Sequence, residues 1–329
     1  MATLPDLVEL VRAPAALSVP GDVVAGAAAA GALDRRTPAL AGASVLLYWA
    51  GMAANDWADR RLDAVERPER PIPSGRVSPG AAVGLAAGLT AAGLTLAAAA
   101  GGRRAAAVAV PLAAAVWGYD LRAKNTAAGP AVMAACRGLD VLLGASGGRL
   151  TRALPAALTV AAHTWTVTAL SRREVTGTDP ALPLRTLAGT AVVAASAATV
   201  ARVPGRAASR RRPVAAPGRV PARRHGRPAT SQPATSGPDD APASRWATLA
   251  ALVPAGLAAW YAVGYGAAQA RVVAEPSAGR VRAAVGAGIT GLPALQGALT
   301  ARGGARLLGL AVAAAAPLGR RLARKVSPT

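Results

Sequence analysis

Three aspartates lie close together in the sequence, next to a long apolar stretch. Asp56, Asp59 and Asp63 are spaced at i, i+3 and i+7, so on a helix they share one face. Carboxylates this close repel each other at the edge of a low-dielectric membrane unless a cation neutralises them. Mg²⁺ carried by a phosphate-bearing substrate suits this role, because Mg²⁺ takes one or two carboxylates together with phosphate oxygens. The alternative is a solvated helix end on which Arg60 and Arg61 pair with the acids.

The residues that follow the aspartates predict the end of this helix. Arg70 begins the string Arg-Pro-Ile-Pro-Ser-Gly, which runs to Gly75. Two prolines and a glycine predict a helix end and a turn back into the membrane. We expect this turn to leave Arg70 facing the aspartates, where an arginine can bind a diphosphate bidentately.

The whole string from Asn55 to Gly75 resembles the first aspartate-rich motif of the UbiA family of intramembrane prenyltransferases. A second segment, from Tyr119 to Thr126, is similar to the Tyr-Pro-x-x-Lys-Arg-x-Thr segment of the same family, with Asp120 where the family usually has proline. The resemblance covers roughly residues 12–203 with motifs, and the remainder by hydropathy only. Two short strings and the basic C-terminal tail are similar, more narrowly, to a branch that includes EboC-type proteins. These strings are Arg137-Gly-Leu-Asp140 and Ser171-Arg-Arg-Glu174.

The resemblance implies an enzyme that transfers a prenyl group from a prenyl diphosphate to an aromatic or other small or lipid acceptor, with Mg²⁺ as cofactor. The residues that it implies for catalysis are Asp56, Asp59, Asp63, Arg70 and Lys124. The implied metal ligands are Asp56, Asp59, Asp63 and Glu174. The candidates for substrate binding are Asn55, Arg60, Tyr119, Asp120, Thr126, Arg137, Asp140, Arg173 and Glu174.

The segment after the sixth apolar stretch departs from the family. The family carries a second aspartate-rich motif there, whereas this chain has Ser171, Arg172, Arg173 and a single acid, Glu174. One carboxylate by itself is a poor metal site. Two functions therefore stay open. In the first, the arginines take over charge neutralisation on the diphosphate, or Asp120 helps to bind a second metal. In the second, the chain binds a prenyl lipid, or takes part in export, without transferring the group.

Arg137 and Asp140 are ionisable residues inside an apolar stretch. Charged groups at such depth are costly, so they normally face a cavity or pair with one another. Three residues apart on a helix, they can pair together. The functional alternative, which we favour, is that both line the substrate cavity. The same two residues leave a transporter open as a further class, although no internal repeat supports it.

Composition indicates a membrane protein, because 53% of the 329 residues are hydrophobic and 16% are charged. Several stretches are nearly free of charge and long enough to cross a bilayer as helices. A soluble Ala-rich helical protein would lack polar faces for water along so many stretches. We therefore predict an all-α, multi-pass bundle of about nine transmembrane helices in the plasma membrane, with the Gly-rich 281–299 stretch the weakest. Nine or ten spans result, depending on whether 281–299 is counted: 15–33, 39–58, 79–101, 105–119, 129–147, 153–171, 182–203, 246–268, 281–299 and 304–319.

Charge and composition also predict the partners and the domain organisation. The net charge is +21, but the arginines lie mostly in short loops without a recognised nucleic-acid motif, so we expect contact with anionic membrane lipids and no nucleic acid. The single cysteine, Cys136, excludes a disulfide within the chain. We predict N-terminal transmembrane helices with the motif loops over 1–203, a disordered Arg- and Pro-rich loop over 204–245, and C-terminal transmembrane helices over 246–329.

Overall fold

The structure, a computed structural model, describes residues 2–199 and 240–315, without the side chains of Pro14, Ala15, Leu17 and 240–250. Over these ranges the chain forms ten α-helices and no strand, which confirms the all-α prediction. The helices are α1 (Leu4–Leu10), α2 (Val19–Ala30), α3 (Thr37–Glu66), α4 (Pro79–Gly118), α5 (Gly129–Gly144), α6 (Leu150–Ser171), α7 (Ala181–Ala198), α8 (Asp240–Ala274), α9 (Ala278–Arg302) and α10 (Arg306–Ala315). Shorter segments are the 3₁₀ helices Ala13–Ser18 and Ala145–Gly147 and the π-helix Tyr119–Ala123.

Of the described residues, 2–199 and 252–315 belong to one compact unit, and 240–251 to a second. Of the second unit the structure describes only the first turns of α8, from Asp240. The predicted loop over 204–245 lies almost entirely outside the described residues, as does the basic tail after residue 315, so both stay predictions.

Five helical stretches of the described chain are long and apolar enough to cross a membrane. They are Thr37–Glu66, Pro79–Ala123, Leu150–Ser171, Ala181–Ala198 and Ala251–Ala274. The predicted number of about nine is not confirmed, for reasons that differ between helices. The helices α2, α5 and α10 are shorter than 18 residues. The helix α9, the Gly-rich and weakest prediction, is long enough, but its mean hydropathy is lower than that of the five spans.

The long helix α4 is a hairpin of two arms. Its one non-helical residue is Gly102, with φ 64° and ψ −157°. The Trp117 indole N–H donates to the Thr90 hydroxyl at 3.1 Å. In an unbroken helix these two residues would stand about 40 Å apart, at 1.5 Å per residue. The chain therefore reverses at Gly102, which agrees with the two separate predicted spans 79–101 and 105–119.

Close helix packing depends on glycines, as the small-residue composition leads one to expect. A Cβ on Gly26 of α2 would lie 1.8 Å from the Val141 carbonyl oxygen of α5, and one on Gly144 of α5 would lie 1.9 Å from the Val23 carbonyl oxygen of α2. No side chain fits at either position. The helices α2 and α5 are thereby held in one relative position, which matters for the charged residues that they carry.

The loops that carry the motifs meet at one end of the unit, which we call the motif end. Thr126 in the turn before α5 accepts a hydrogen bond from Arg172 after α6. The Glu174 carbonyl accepts from Arg282 of α9 at 2.8 Å, and Thr178 N–H donates to the Pro276 carbonyl at 3.2 Å. Segments far apart in the sequence are thus brought to the same end of the helix bundle.

Candidate functional site

A cavity of about 280 Å³ extends from the motif end between α2, α3, α4 and α5. We call the end toward the aspartates the mouth, lined by Arg12, Asn55 and Asp120, and the opposite end the deep end, lined by Ser44, Arg137 and Asp140. Between the two ends the wall is largely apolar. The residues of this middle section include Val19, Leu47, Leu112, Val116, Met133 and Cys136. The cavity therefore has a polar group at each end and a hydrocarbon-like wall between them.

The three aspartates lie beside the mouth, and each is paired with a cation. Asp56 is 4% exposed and accepts from Arg12 at 2.7 Å and from Arg70 at 3.4 Å. Asp63 is 2% exposed and accepts from the same Arg70 nitrogen at 2.6 Å. The Lys124 ammonium lies 2.6 Å from an Asp59 oxygen. The helix end is therefore not a solvated surface on which Arg60 and Arg61 neutralise the acids.

Arg70 reaches the aspartates because the chain turns sharply after α3. The Ser74 hydroxyl and amide both donate to the Arg70 carbonyl, at 2.7 and 3.0 Å, and Gly75 adopts a left-handed conformation with φ 77°. Ile72 and Val77 then enter an apolar cluster with Leu10. The prolines and the glycine thus end the helix and return the chain to the apolar interior, as the sequence predicts.

Arg12 comes from the segment between α1 and α2. It has φ 47°, the only positive φ of a non-glycine residue in the described chain. The segment before it is held by Arg76, whose guanidinium binds Asp6 at 2.8 Å and Glu9 at 2.7 Å. Arg76 also donates to the Glu69 carbonyl at 2.8 Å, so α1 is fixed to the turn that carries Arg70.

The second motif segment closes the mouth from the α4 side. The Asn55 amide donates to Asp120 Oδ1 at 3.0 Å, and Asp120 is 4% exposed. Tyr119 lies beside it in the cavity wall. A π-helical turn over Tyr119–Ala123 adds one residue to the helical turn, and Lys124 follows directly after it. The family-like segment thereby supplies both an acid and a cation to the mouth.

The deep end contains a second polar network inside the bundle. The Arg137 Nε forms an ion pair with Asp22 Oδ2 at 2.8 Å, and the Gln296 amide donates a hydrogen bond to Asp22 Oδ1 at 2.6 Å. Asp22 is fully buried. The Ser44 hydroxyl donates to Asp140 Oδ1 at 2.6 Å. Both Arg137 and Asp140 line the cavity, and the ion pair of Arg137 is with Asp22 rather than with Asp140.

Four of the predicted substrate-binding residues are engaged outside this arrangement. Arg60 donates to the Trp57 carbonyl at 2.8 Å and covers the Trp57 ring. The Thr126 hydroxyl donates to a carbonyl within its own turn at 2.8 Å. Arg173 is exposed, and Glu174 lies in the loop after α6, where partial burial raises the pKa of its carboxyl while the Arg282 guanidinium opposes that rise. In the described residues no contact joins Glu174 to the three aspartates.

Five further residues take part in the arrangement around the cavity without having been predicted from the sequence: Arg12, Asp22, Ser44, Tyr48 and Gln296. Asp22 carried the same signal as Arg137, an ionisable group within an apolar stretch. Gln296 was a polar residue within a predicted span. Ser44 and Tyr48 had no signal in the sequence, because they take their place only through the stripe that α3 presents to the cavity.

The donor set at the mouth fits a divalent cation of the Mg²⁺ type, since it consists of carboxylates on one helix face. Across the described ranges, no three His, Cys, Asp or Glu side chains form a ready metal-ligand group. The reason lies in the ion pairs, because Asp56, Asp59 and Asp63 are directed toward Arg12, Lys124 and Arg70. Binding a metal therefore requires the cations to change partners.

Comparison with known proteins gives one family. The model of the UbiA prenyltransferase family matches residues 18–201, more than half of the chain. The digeranylgeranylglyceryl phosphate synthase of Methanothrix thermoacetophila is 44% identical over 80 residues, 23% of this chain and 30% of the relative. The bacteriochlorophyll synthase 33 kDa chain of Rhodobacter capsulatus is 68% identical over 25 residues, 8% of each protein. The chain thus matches less than a third of the length of these curated relatives.

Two solved structures have a similar fold. One, of a digeranylgeranylglyceryl phosphate synthase, gives a TM-score of 0.55 at 15% identity, over 88% of this chain and 98% of that structure. The other, of a UbiA homolog from Aeropyrum pernix without ligand, gives a TM-score of 0.54 at 18% identity, over 86% and 96%. At these identities the likeness concerns the fold alone.

Proposed function

The chain belongs to the UbiA prenyltransferase family, and from this premise we propose that it is a Mg²⁺-dependent transferase that moves a prenyl group from a prenyl diphosphate to an acceptor. The chain is an integral membrane protein, and we propose the plasma membrane as its location. The named relatives carry the names of different products, so the proposal gives the acceptor only as an aromatic or other small or lipid molecule. The narrower resemblance to EboC-type proteins stays a prediction.

One observation supports this function most directly: three carboxylates and three cations stand opposite each other at the mouth of an apolar-walled cavity. Asp56, Asp59 and Asp63 supply the acids. The cations are Arg12, Arg70 and Lys124. A diphosphate linked to a long apolar tail needs both features, because its charged head requires cations and its tail requires a wall without polar groups.

The reaction breaks the C1–O bond of the prenyl diphosphate, and the electron pair leaves with the diphosphate. The resulting allylic cation is captured by the acceptor, which then loses a proton. Arg12, Arg70 and Lys124 stabilise the charge that develops on the leaving oxygen, and such stabilisation counts most where water is excluded. The apolar wall keeps water away from the cation, which would otherwise be hydrolysed.

Bound Mg²⁺ would be held by Asp56, Asp59 and Asp63 and would supply a Lewis acid that neutralises the leaving diphosphate. Asn55 orients Asp120 beside this site through the hydrogen bond between their side chains. Arg70 touches two of the aspartates, so it is placed to exchange a carboxylate for a phosphate oxygen.

The loop after α6 supports a second candidate, a protein that binds a prenyl lipid without transferring it. Arg172 and Arg173 stand there with a single acid, Glu174. This set is basic, so it favours holding an anion over holding a second metal.

The test measures diphosphate release from geranyl, farnesyl and geranylgeranyl diphosphate by the purified protein with Mg²⁺ and a panel of aromatic and lipid acceptors. We expect Asp56→Asn and Asp63→Asn to lower the rate of diphosphate release by about 100-fold or more. This is the scale of removing one electrostatic contact to the reacting group. The matched control is Glu66→Gln, an exposed acid at the end of the same helix, which should leave the rate unchanged. Wild-type protein that binds the prenyl diphosphates but releases no diphosphate would favour the second candidate.

A further inference from the structure

We propose that the deep end of the cavity binds a hydroxyl or ammonium group of the acceptor, with Asp140 as the binding residue. The inference rests on the proposed function, because only a transferase has an acceptor. It concerns the end of the cavity away from the aspartate motif, where Asp140, Ser44 and Arg137 line the wall.

The charge balance at this end is incomplete. Arg137 forms its ion pair with Asp22, and Gln296 donates to the other oxygen of Asp22. Asp140 is 3% exposed, and in the described part of the chain it has no ion pair. Its Oδ1 accepts from Ser44, and within the same residues no hydrogen bond reaches Oδ2. A buried carboxylate in this state is costly unless a donor completes it.

Asp140 lines the cavity, so a donor can reach it from the cavity side. The stripe of α3 in the cavity wall runs from Ser44 to Asn55, with Tyr48 and Gly51 between them. At 1.5 Å per residue, the two ends of this stripe are about 16 Å apart. An acceptor whose donor group binds Asp140 can therefore direct its other end toward the mouth, where the prenyl diphosphate is cleaved.

Close packing holds this end rigid. A Cβ on Gly21, next to Asp22, would lie 2.2 Å from the Gln296 side-chain oxygen. Gly26 and Gly144 bring the backbones of α2 and α5 into contact, and these helices carry Asp22 and Arg137. Arg137, Asp22 and Gln296 are thus positioning residues that leave Asp140 free for a ligand, as a preorganised site requires.

The side chains at the deep end also exclude two kinds of ligand. A carboxylate on the acceptor would face Asp140, and like charges in a low-dielectric site repel strongly. An isoprenoid tail would leave Asp140 without a donor, so the deep end does not suit the tail of the prenyl donor. The inferred acceptor therefore carries a neutral or cationic hydrogen-bond donor at the end that enters first.

The single cysteine provides the readout. Cys136 lies in the cavity wall one helical turn before Asp140, so a ligand at the deep end should shield its thiol. Because the Cys136 thiol is buried and reacts as the thiolate, wild-type protein in nanodiscs is treated with methyl methanethiosulfonate at alkaline pH until labelling without ligand is complete. Labelling is then followed by intact mass with decylamine, decyl alcohol or decanoate present. Concentrations are corrected for partition into empty nanodiscs. We expect decylamine and decyl alcohol to protect Cys136 at about tenfold lower concentration than decanoate, which corresponds to about 1.4 kcal/mol.

The variant Asp140→Asn removes the charge and keeps an acceptor oxygen. In this variant the concentration of decylamine that protects Cys136 should rise about tenfold, and the concentration of decyl alcohol should change little. Asp179→Asn, at an exposed acid that caps α7, is the matched control and should behave as wild type. Equal protection by decylamine and decanoate in wild type, or unchanged decylamine protection in Asp140→Asn, would overturn the proposal. If Asp140→Asn does not fold, the wild-type comparison alone decides.

Diphosphate release is measured on the same preparations, so the two proposals can fail separately. Release with no preference for decylamine overturns only the deep-end inference. If decylamine protects Cys136 better than decanoate but no diphosphate is released, the deep end does not bind an acceptor. It then remains a binding site for a hydroxyl or ammonium group.

Discussion

Arg12 reaches Asp56 from a backbone conformation that residues with a side chain rarely adopt. Its φ of 47° lies in the left-handed region, where a Cβ costs about 1–2 kcal/mol. We expect Arg12→Gly to be more stable than Arg12→Ala by about 1 kcal/mol. Both variants lose the guanidinium, so both should lose diphosphate release equally. Denaturation in mild detergent, beside the activity assay, checks the difference, and equal stability would show that the conformation is not strained.

The Asp6 carboxyl gives α1 a defined pH dependence. Hydrogen bonds from the Thr3 hydroxyl and amide, together with the Arg76 guanidinium, lower the pKa of Asp6 from 3.8 to about 2. Stabilisation by an acid with a lowered pKa is complete above its unfolded value and is lost as pH falls through the folded value. Amide exchange in α1, corrected for intrinsic rates, should therefore rise between pH 3.8 and about 2. In Asp6→Asn this pH dependence should disappear, and its persistence would assign it to Glu9.

Individual residues were predictable where their partners are near in sequence. The aspartate spacing follows from helix periodicity alone, and Arg70 from a turn that prolines and glycine encode. Arg12 meets Asp56, and Gln296 meets Asp22, across other helices. No local pattern contains such pairings, because they depend on how the helices pack.

At the scale of elements, the α4 hairpin depends on one residue. Gly102 has φ 64° and ψ −157°, a combination that only glycine adopts without strain. Gly102→Ala should destabilise the protein by about 1–3 kcal/mol. Gly88→Ala in the first arm, where an added Cβ meets nothing within 4 Å, should be neutral or stabilising by up to about 1 kcal/mol. Denaturation midpoints compare the two, and an equal effect would exclude a special role for the break.

Hydropathy located the helices better than it located their ends. The predicted span 15–33 contains α2, which has only 12 residues, because a 3₁₀ segment at Ala13–Ser18 precedes it. The predicted span 129–147 contains α5, whose inward face carries Arg137 and Asp140. Both helices border the candidate site and are too short to count as membrane spans, although hydropathy gives their positions correctly.

For the whole molecule, the pairing of the three aspartates with cationic side chains at the mouth predicts that the protein is stable without metal. Each of Asp56, Asp59 and Asp63 has a cation within 2.7 Å, so an empty site leaves none of these three charges unpaired. Treatment with EDTA should abolish diphosphate release and leave the melting temperature of the protein unchanged, because its own cations replace the metal. Zinc-finger-like behaviour, in which a chelator unfolds the chain, would contradict this balance. Melting of Asp56→Asn with and without EDTA provides the control.

The pairing of these acids with arginine and lysine has a consequence for how the protein is made. A helix with three bare carboxylates near its end would be costly to transfer from the translocon into lipid. Once the neighbouring segments are synthesised, the chain supplies its own counter-charges, from Arg12 before α3 and from Arg70 and Lys124 after it. Maturation in the membrane therefore does not have to wait for an ion or a substrate, and α3 becomes fully neutralised only when the ribosome has passed Lys124.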